Sequence, residues 1–143
     1  MQVTRIDSIR CSVGEAPVWD DREGYLYLRD IAAQLGLRLD PVTGAVRRWE
    51  CPAPPTVLAL DEREGAILAS KDAILQLDLE TGQTRELARV PGQPANATLN
   101  DGRVDRQGRL VVGSCCTDFA APSPVGGIYG FARGQCTRLA DDI

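Results

Sequence analysis

The chain has 143 residues, a formal net charge of −4 and 43% hydrophobic residues, which is the composition of one ordinary globular domain. The acidic balance argues against a nucleic-acid partner, because proteins that bind nucleic acids present a basic face. Histidine is absent, so the chain itself contains no serine–histidine or cysteine–histidine nucleophile and no histidine-ligated zinc. No apolar run approaches the ~20 residues of a membrane span, so we expect no membrane partner. Residues 1–7 lack the pattern of a secretory signal, which predicts a cytoplasmic location.

Two strands are predicted before the first clear turn. Thr4–Cys11 alternates weakly between apolar and polar residues and predicts an isolated strand. Gly14–Trp19 predicts a second strand, and Pro17 places it at an unpaired sheet edge because proline has no amide hydrogen to donate. Asp20–Gly24 then supplies a tight turn, in which the aspartate side chain bonds the backbone and the glycine adopts a positive φ.

The same order of turns and short apolar runs occurs three times. In the first copy the turn at Asp20 is followed by the runs Tyr25–Leu28 and Leu37–Leu39. The second and third copies begin at Asp61 and Asp105, so the repeat is about forty residues long. A period of this length with short strands is typical of a β-propeller blade, a four-stranded antiparallel sheet. No segment keeps a helical period free of glycine and proline, so no helix is predicted.

We therefore predict an all-β fold of three propeller blades, at about residues 14–51, 56–89 and 98–140. One blade cannot bury both of its faces alone, so the blades must stack on one another. The strand that contains Pro17 would then lie next to the central channel, with Glu15 at the channel mouth. The longer loop at 117–126 lies on one rim, where loops of repeat proteins often form the binding face.

The five cysteines are an odd number with no CxxC spacing, which indicates reduced thiols packed as small apolar residues. Cys115 and Cys116 are adjacent in a predicted strand and so point to opposite faces. They are therefore not expected to form one metal site.

Two polar residues have two interpretations each, and a third has one. Glu15 is either a surface glutamate or a carboxylate that binds a hard metal ion or acts as acid or base. Asn100 belongs to an Asn-Asp-Gly sequence that is either a plain turn or a source of an amide oxygen on the same rim. Asp118 is, by its position alone, a solvated carboxylate of the long loop.

Two motifs and their spacing resemble a known family. Gly14-Glu15-Ala16-Pro17-Val18-Trp19 and Leu99-Asn100-Asp101-Gly102-Arg103-Val104-Asp105 are similar to motifs of the regucalcin (senescence marker protein) and gluconolactonase family, and their order and spacing agree across nearly the whole chain. The resemblance implies a six-bladed propeller that binds one divalent cation, calcium, zinc or magnesium, at the channel mouth. It also implies hydrolysis of sugar lactones and related esters.

The resemblance implies a role for four residues. Glu15 matches the family's first metal-binding carboxylate, and Asn100 matches an asparagine that faces the substrate beside the metal. Asp118 falls where many members place an acidic residue that contacts substrate. Thr98 stands where several members have an arginine that holds substrate hydroxyls, which implies a different lactone, either less polar or smaller.

The chain also departs from the family in length, since family members are about twice as long. Their second metal-binding asparagine, and the metal-binding aspartate that serves as general base, lie in the later half. Residues 1–143 are thus predicted to be the N-terminal half of the ring, completed either by the rest of a longer protein or by a second copy. Residues 1–143 on their own are expected to be catalytically weak or inactive, because the general base is expected outside them.

Three functions remain open on the sequence. The first is a metal-dependent lactone hydrolase, the second is a non-enzymatic calcium-binding or interaction module, and the third is a purely structural half-propeller.

Overall fold

Strands alone make up the regular structure in a computed structural model that describes residues 3, 5–61, 65–120 and 122–141. In these ranges there are twelve strands and no helix, which confirms the predicted all-β fold. It follows that no helix in the described ranges is long and apolar enough to cross a membrane.

The strands form three separate four-stranded antiparallel sheets, and within each sheet the spatial order of the strands follows the chain. The first sheet contains β1 (Gly14–Asp20), β2 (Tyr25–Asp30), β3 (Leu35–Leu39) and β4 (Val46–Glu50). The second contains β5 (Val57–Asp61), β6 (Gly65–Ser70), β7 (Ala73–Leu77) and β8 (Thr84–Arg89). The third contains β9 (Ala97–Val104), β10 (Leu110–Cys116), β11 (Gly127–Ala132) and β12 (Gln135–Asp141).

The repeated Asp-x-x-Thr-Gly turns close the last hairpin of the first two sheets in the same way. Oδ1 of Asp40 accepts hydrogen bonds from the amides of Val42 and Thr43 at 2.8 and 3.1 Å, and Gly44 has a φ of 75°. The turn at Asp78 repeats this pattern, with a φ of 78° at Gly82. Each turn therefore forms locally, because the aspartate caps the backbone and glycine accepts the left-handed conformation.

Two apolar cores join the sheets. The core between the first and second sheets includes Tyr27, Trp49 and Leu68, and Nε1 of Trp49 donates to the carbonyl oxygen of Leu79 at 3.2 Å. The core between the second and third sheets includes Ile74 and other fully buried side chains of β5, β9 and β10. Each sheet thus buries an apolar face against its neighbour, as stacked propeller blades do.

The first strand of each sheet lies toward the axis. β5 lies beside both β1 and β9, so these three strands are neighbours and we call them the inner strands. All three begin at one end of the sheets, the end that also carries the β2–β3 turn, the β6–β7 turn and the β10–β11 loop. We call this end the upper rim. β1 is an edge strand, as Pro17 predicted.

The first and third sheets each leave apolar residues on the face that points away from the second sheet. Trp19 of β1 is 54% exposed and points away from the core that its neighbour Val18 packs against. Leu139 of β12 is 48% exposed and lies over Gly130. These outward faces have the character of surfaces that another blade would cover.

The strand predicted at Thr4–Cys11 is wrong. Residues 5–11 lie outside the strands, and Thr4 lies outside the described residues. The segment that follows is instead attached to β2, since Oδ2 and Oδ1 of Asp30 accept hydrogen bonds from the amides of Ser12 and Val13 at 2.7 and 3.0 Å. The weak alternation of this segment carried too little information to specify a pairing partner.

Candidate active site

Glu15 is the second residue of β1 and lies near the upper rim. It pairs with Arg29 of β2, and the register then shifts between Glu15 and Val18. Ala16 within this bulge has a φ of 40°, an unusual value for a residue with a side chain. Bulges re-aim side chains and are common beside active sites. The carboxylate of Glu15 is 52% exposed.

Arg29 is a charged residue inside the molecule, with 0% of its surface exposed. Its Nη2 lies 3.8 Å from Oε2 of Glu15 and 3.6 Å from Oδ1 of Asp101, which are ion-pair distances too long for hydrogen bonds. No group in the described part of the chain accepts a hydrogen bond from its guanidinium. Burial lowers the pKa of Arg29, and the charges of Asp101 and Glu15 oppose that shift. An arginine stays protonated under such conditions, so one buried cation faces two carboxylates.

Asn100 lies at a second bulge, in β9. The register of β9 against β10 pairs Asp101 with Gly113 and Leu99 with Ser114, which leaves Asn100 as the extra residue. Asn100 is exposed. Since Asp101 follows it directly and reaches the same guanidinium nitrogen as Glu15, the strand segments that carry Glu15 and Asn100 approach one another at the axis.

A cleft of about 640 Å³ opens at the upper rim between the second and third sheets. Two of the predicted substrate-binding residues, Thr98 and Asn100, line it. Glu15 is not part of its lining, and neither is Asp118, although Thr117 and Phe119 on either side of Asp118 are. Clefts of this volume suit small molecules.

Asp118 lies in the β10–β11 loop, close to but outside the cleft wall. Its Oδ1 accepts a hydrogen bond from the amide of Ala120 at 3.0 Å. Phe119 beside it is 81% exposed and lines the cleft. The structure therefore groups Thr98 and Asn100 in one wall, brings Glu15 near them through Asp101, and leaves Asp118 at the margin.

The donors for a divalent cation are present only in part. Glu15 offers a half-exposed carboxylate and Asn100 an exposed amide, both of the hard-oxygen type that calcium and magnesium prefer. Over residues 3, 5–61, 65–120 and 122–141, no three histidine, cysteine or acidic side chains are grouped so that they could hold an ion. Glu15 and Asn100 could therefore supply some of the ligands of a divalent cation, and further ligands would have to come from elsewhere.

All five cysteines are free, as the sequence predicted. Cys115 lines the cleft and burial raises the pKa of its thiol. Cys116, next to it in β10, is buried on the other side of the strand, where hydrogen bonding with the backbone at Ser123 and Asp118 lowers the pKa of its thiol.

Sequence reasoning missed two charged residues of this region. Arg29 could have been found because it continues the inward alternation of Tyr25 and Tyr27, where an apolar residue is expected. Lys71, which also lines the cleft, stands in a segment that the sequence marks only as a break between strands. No local signal distinguishes it from any other turn residue.

Comparison with known proteins decides the family. The profile described as "SMP-30/Gluconolactonase/LRE-like region" matches residues 13–143. The chain belongs to this family. It is 37% identical to regucalcin from Xenopus laevis over 102 residues, and 36% identical to 6-deoxy-6-sulfogluconolactonase from Pseudomonas putida over 114 residues. These alignments cover 71% and 76% of the chain.

Solved structures of the family have the same fold. Against the calcium-binding protein regucalcin from Agrobacterium tumefaciens the TM-score is 0.84, with 26% identity over 96% of this chain. The chain spans 34% and 39% of the lengths of the two curated relatives and 46% of the Agrobacterium structure. Its three sheets are therefore part of a propeller of the family.

Proposed function

We propose that the chain forms the N-terminal half of a divalent-metal-dependent hydrolase of sugar or related lactones. The observation that carries this proposal is the meeting of Glu15 and Asp101 around Arg29, beside a cleft walled by Thr98 and Asn100. A cleft sized for a small molecule, with a few polar and charged groups close to it, supports the hypothesis of a binding or active site. Membership of the family and its relatives with lactonase names support the reaction type.

In lactone hydrolysis, water adds to the ring carbonyl carbon, the ring C–O bond breaks, and the departing oxygen takes up a proton to give a hydroxy acid. When bound, a divalent cation, whether calcium, zinc or magnesium, polarises the carbonyl and stabilises negative charge on its oxygen. Glu15 would hold the cation. Asn100 would orient the lactone through its amide, with the Thr98 hydroxyl oxygen accepting a hydrogen bond and Asp118 contacting a substituent at the cleft margin.

We place the general base and the remaining cation ligands outside these residues. Hard cations take six or more oxygen ligands, and the described residues offer fewer. The outward faces that expose Trp19 and Leu139 support a ring completed by further blades, supplied by a longer protein or by a second copy of the chain. The cytoplasmic location and the absence of nucleic-acid and membrane partners stay predictions.

A second candidate is a calcium-binding propeller without catalytic activity. The description of the Agrobacterium neighbour as a calcium-binding protein favours it. In that case Glu15 would still bind the cation, but no lactone would be hydrolysed.

The test is hydrolysis of glucono-1,5-lactone and of simpler γ-lactones by the product of the complete reading frame. The rate is measured after chelation and again after the addition of calcium, zinc or magnesium. Cation-dependent turnover supports the hydrolase. Cation binding without any turnover supports the second candidate. The absence of both cation binding and turnover contradicts both candidates.

A further inference from the structure

Lys71 occupies a strained position on the wall of the cleft. It is the first residue of the two-residue turn between β6 and β7, and its φ is 53°. Glycine is the unstrained choice for a hairpin residue with a positive φ. A residue that holds such a conformation without being glycine is a reason to look for a function.

Hydrogen bonds hold this turn against the third sheet. The carbonyl oxygen of Lys71 accepts from the amide of Leu99 at 2.7 Å and from Nε2 of Gln93 at 3.1 Å. Leu99 lies between Thr98 and Asn100 in β9. The position of Lys71 is therefore fixed relative to the two residues that we assign to substrate binding.

The charge of Lys71 is not compensated within the protein. In the part of the chain that the structure describes, no carboxylate forms an ion pair with its ammonium group, and its side chain is exposed. Its neighbour Asp72 also lines the cleft, but the Asp72 carboxylate is bound by Nη1 of Arg89 at 2.8 Å. Lys71 thus leaves a positive charge in the wall.

The surroundings of this charge are largely apolar. Ile31, Pro94 and Phe119 belong to the same lining. Because the Lys71 side chain is exposed, its attraction for an anion is that of a surface charge, modest in size and weakened by salt. A mostly apolar cleft with a few fixed polar groups is also the usual form of a small-molecule site.

We propose that Lys71 binds an anionic oxyacid group, a carboxylate, sulfonate or phosphate, on the lactone substrate. The proposal rests on the proposed function, because it assigns the substrate to the same cleft. The substrate class is then a lactone with a negatively charged substituent at the end away from the reacting carbonyl. Lys71 acts as a specificity-determining residue and has no part in breaking the ring.

The experiment uses calorimetry to measure how tightly the complete protein binds two γ-lactones that differ only at C6. Galactaro-1,4-lactone carries a carboxylate there, and galactono-1,4-lactone carries a neutral hydroxymethyl group. We expect the anionic lactone to bind about fivefold to tenfold more tightly, with a preference that falls as salt is added. Lys71→Met and Lys71→Gly should abolish the preference, whereas Lys71→Arg should retain it.

Two controls separate charge from conformation. Arg133, in the β11–β12 turn at the opposite end of the sheets, also has a positive φ, of 52°, so Arg133→Met should leave the preference unchanged. Lys71→Gly should raise the melting temperature while the preference is lost, because glycine relieves the strain. Equal binding of both lactones, or a preference that survives Lys71→Met, would overturn the assignment of Lys71 alone. Failure of both lactones to bind would overturn the proposed function of the cleft as well.

Discussion

Nη2 of Arg29 lies 3.6 Å from Oδ1 of Asp101, and this ion pair joins the first sheet to the third across the axis. The same nitrogen lies 3.8 Å from Oε2 of Glu15. A cation between two carboxylates offsets their mutual repulsion and holds both near the opening. If Glu15 binds a divalent metal as we propose, the metal also meets this positive charge, so we expect Arg29 to weaken the attraction between the Glu15 carboxylate and the metal.

Arg29→Met should increase the affinity for calcium at Glu15. Methionine retains much of the buried volume but removes the charge that repels the metal, so we expect a roughly tenfold lower dissociation constant. Calorimetric titration of the complete protein with calcium measures it. Arg103→Met is the control, because Arg103 is an exposed cation of β9 whose charge is screened by solvent, so its removal should change the affinity less. Unchanged or weaker calcium binding by Arg29→Met would contradict the idea that the charge of Arg29 repels the metal.

The core between the first and second sheets should dominate the stability of this pair. Leu68 is fully buried there, so Leu68→Ala should lower the free energy of unfolding by about 2–5 kcal/mol. Val42 is 91% exposed in a turn, and Val42→Ala should change it by less than about 0.5 kcal/mol. Denaturant unfolding of both variants makes the comparison. Similar losses would show that the sheets do not depend on this core.

Asp30 should make the protein sensitive to acid. Hydrogen bonds from the amides of Val13 and Ser12 lower the pKa of its carboxyl below the usual value, although burial opposes the shift. A carboxyl with a lowered folded-state pKa stabilises the protein at pH values above its unfolded pKa, and this contribution is lost as the pH falls through the folded-state pKa. Asp30→Asn should therefore lower the free energy of unfolding by about 1–3 kcal/mol near neutral pH.

The difference in the free energy of unfolding between wild type and Asp30→Asn should shrink as the pH falls below about 4, the usual aspartate pKa. Unfolding by urea at a series of pH values measures it. Asp7→Asn serves as a control, since the Asp7 side chain is 70% exposed and lies outside this hydrogen-bond network. A difference that stays constant down to the lowest pH would contradict the role of the charged form of Asp30.

The repeats could be predicted because their turns are local. The turns capped by Asp40 and Asp78 involve only neighbouring amides and a glycine, so the local sequence is enough to predict each turn. Pro17 placed β1 at an edge for an equally local reason, its missing amide hydrogen. The strand predicted at Thr4–Cys11 failed because its weak alternation specifies no pairing partner, and residues 5–11 lie outside the strands.

The electrostatics of the site could not be predicted in the same way. Arg29 meets Asp101 only when the first and third sheets fold around the axis, and no spacing in the sequence encodes that distance. The loss of an arginine at Thr98 suggested a less polar or smaller lactone, whereas the cleft wall carries the charge of Lys71 from the neighbouring sheet. Glu15, Asn100 and Asp118 stay predictions of function.

We propose that Glu15 supplies a carboxylate to a cation that is needed for lactone hydrolysis. The rate of glucono-1,5-lactone hydrolysis by the complete protein, measured as calcium, zinc or magnesium is titrated in wild type and in Glu15→Gln, tests this role. We expect the substitution to weaken cation binding and to lower the cation-dependent rate by at least about a hundredfold, the scale on which loss of a key electrostatic group slows catalysis. A rate and a cation dependence equal to those of the wild type would contradict it.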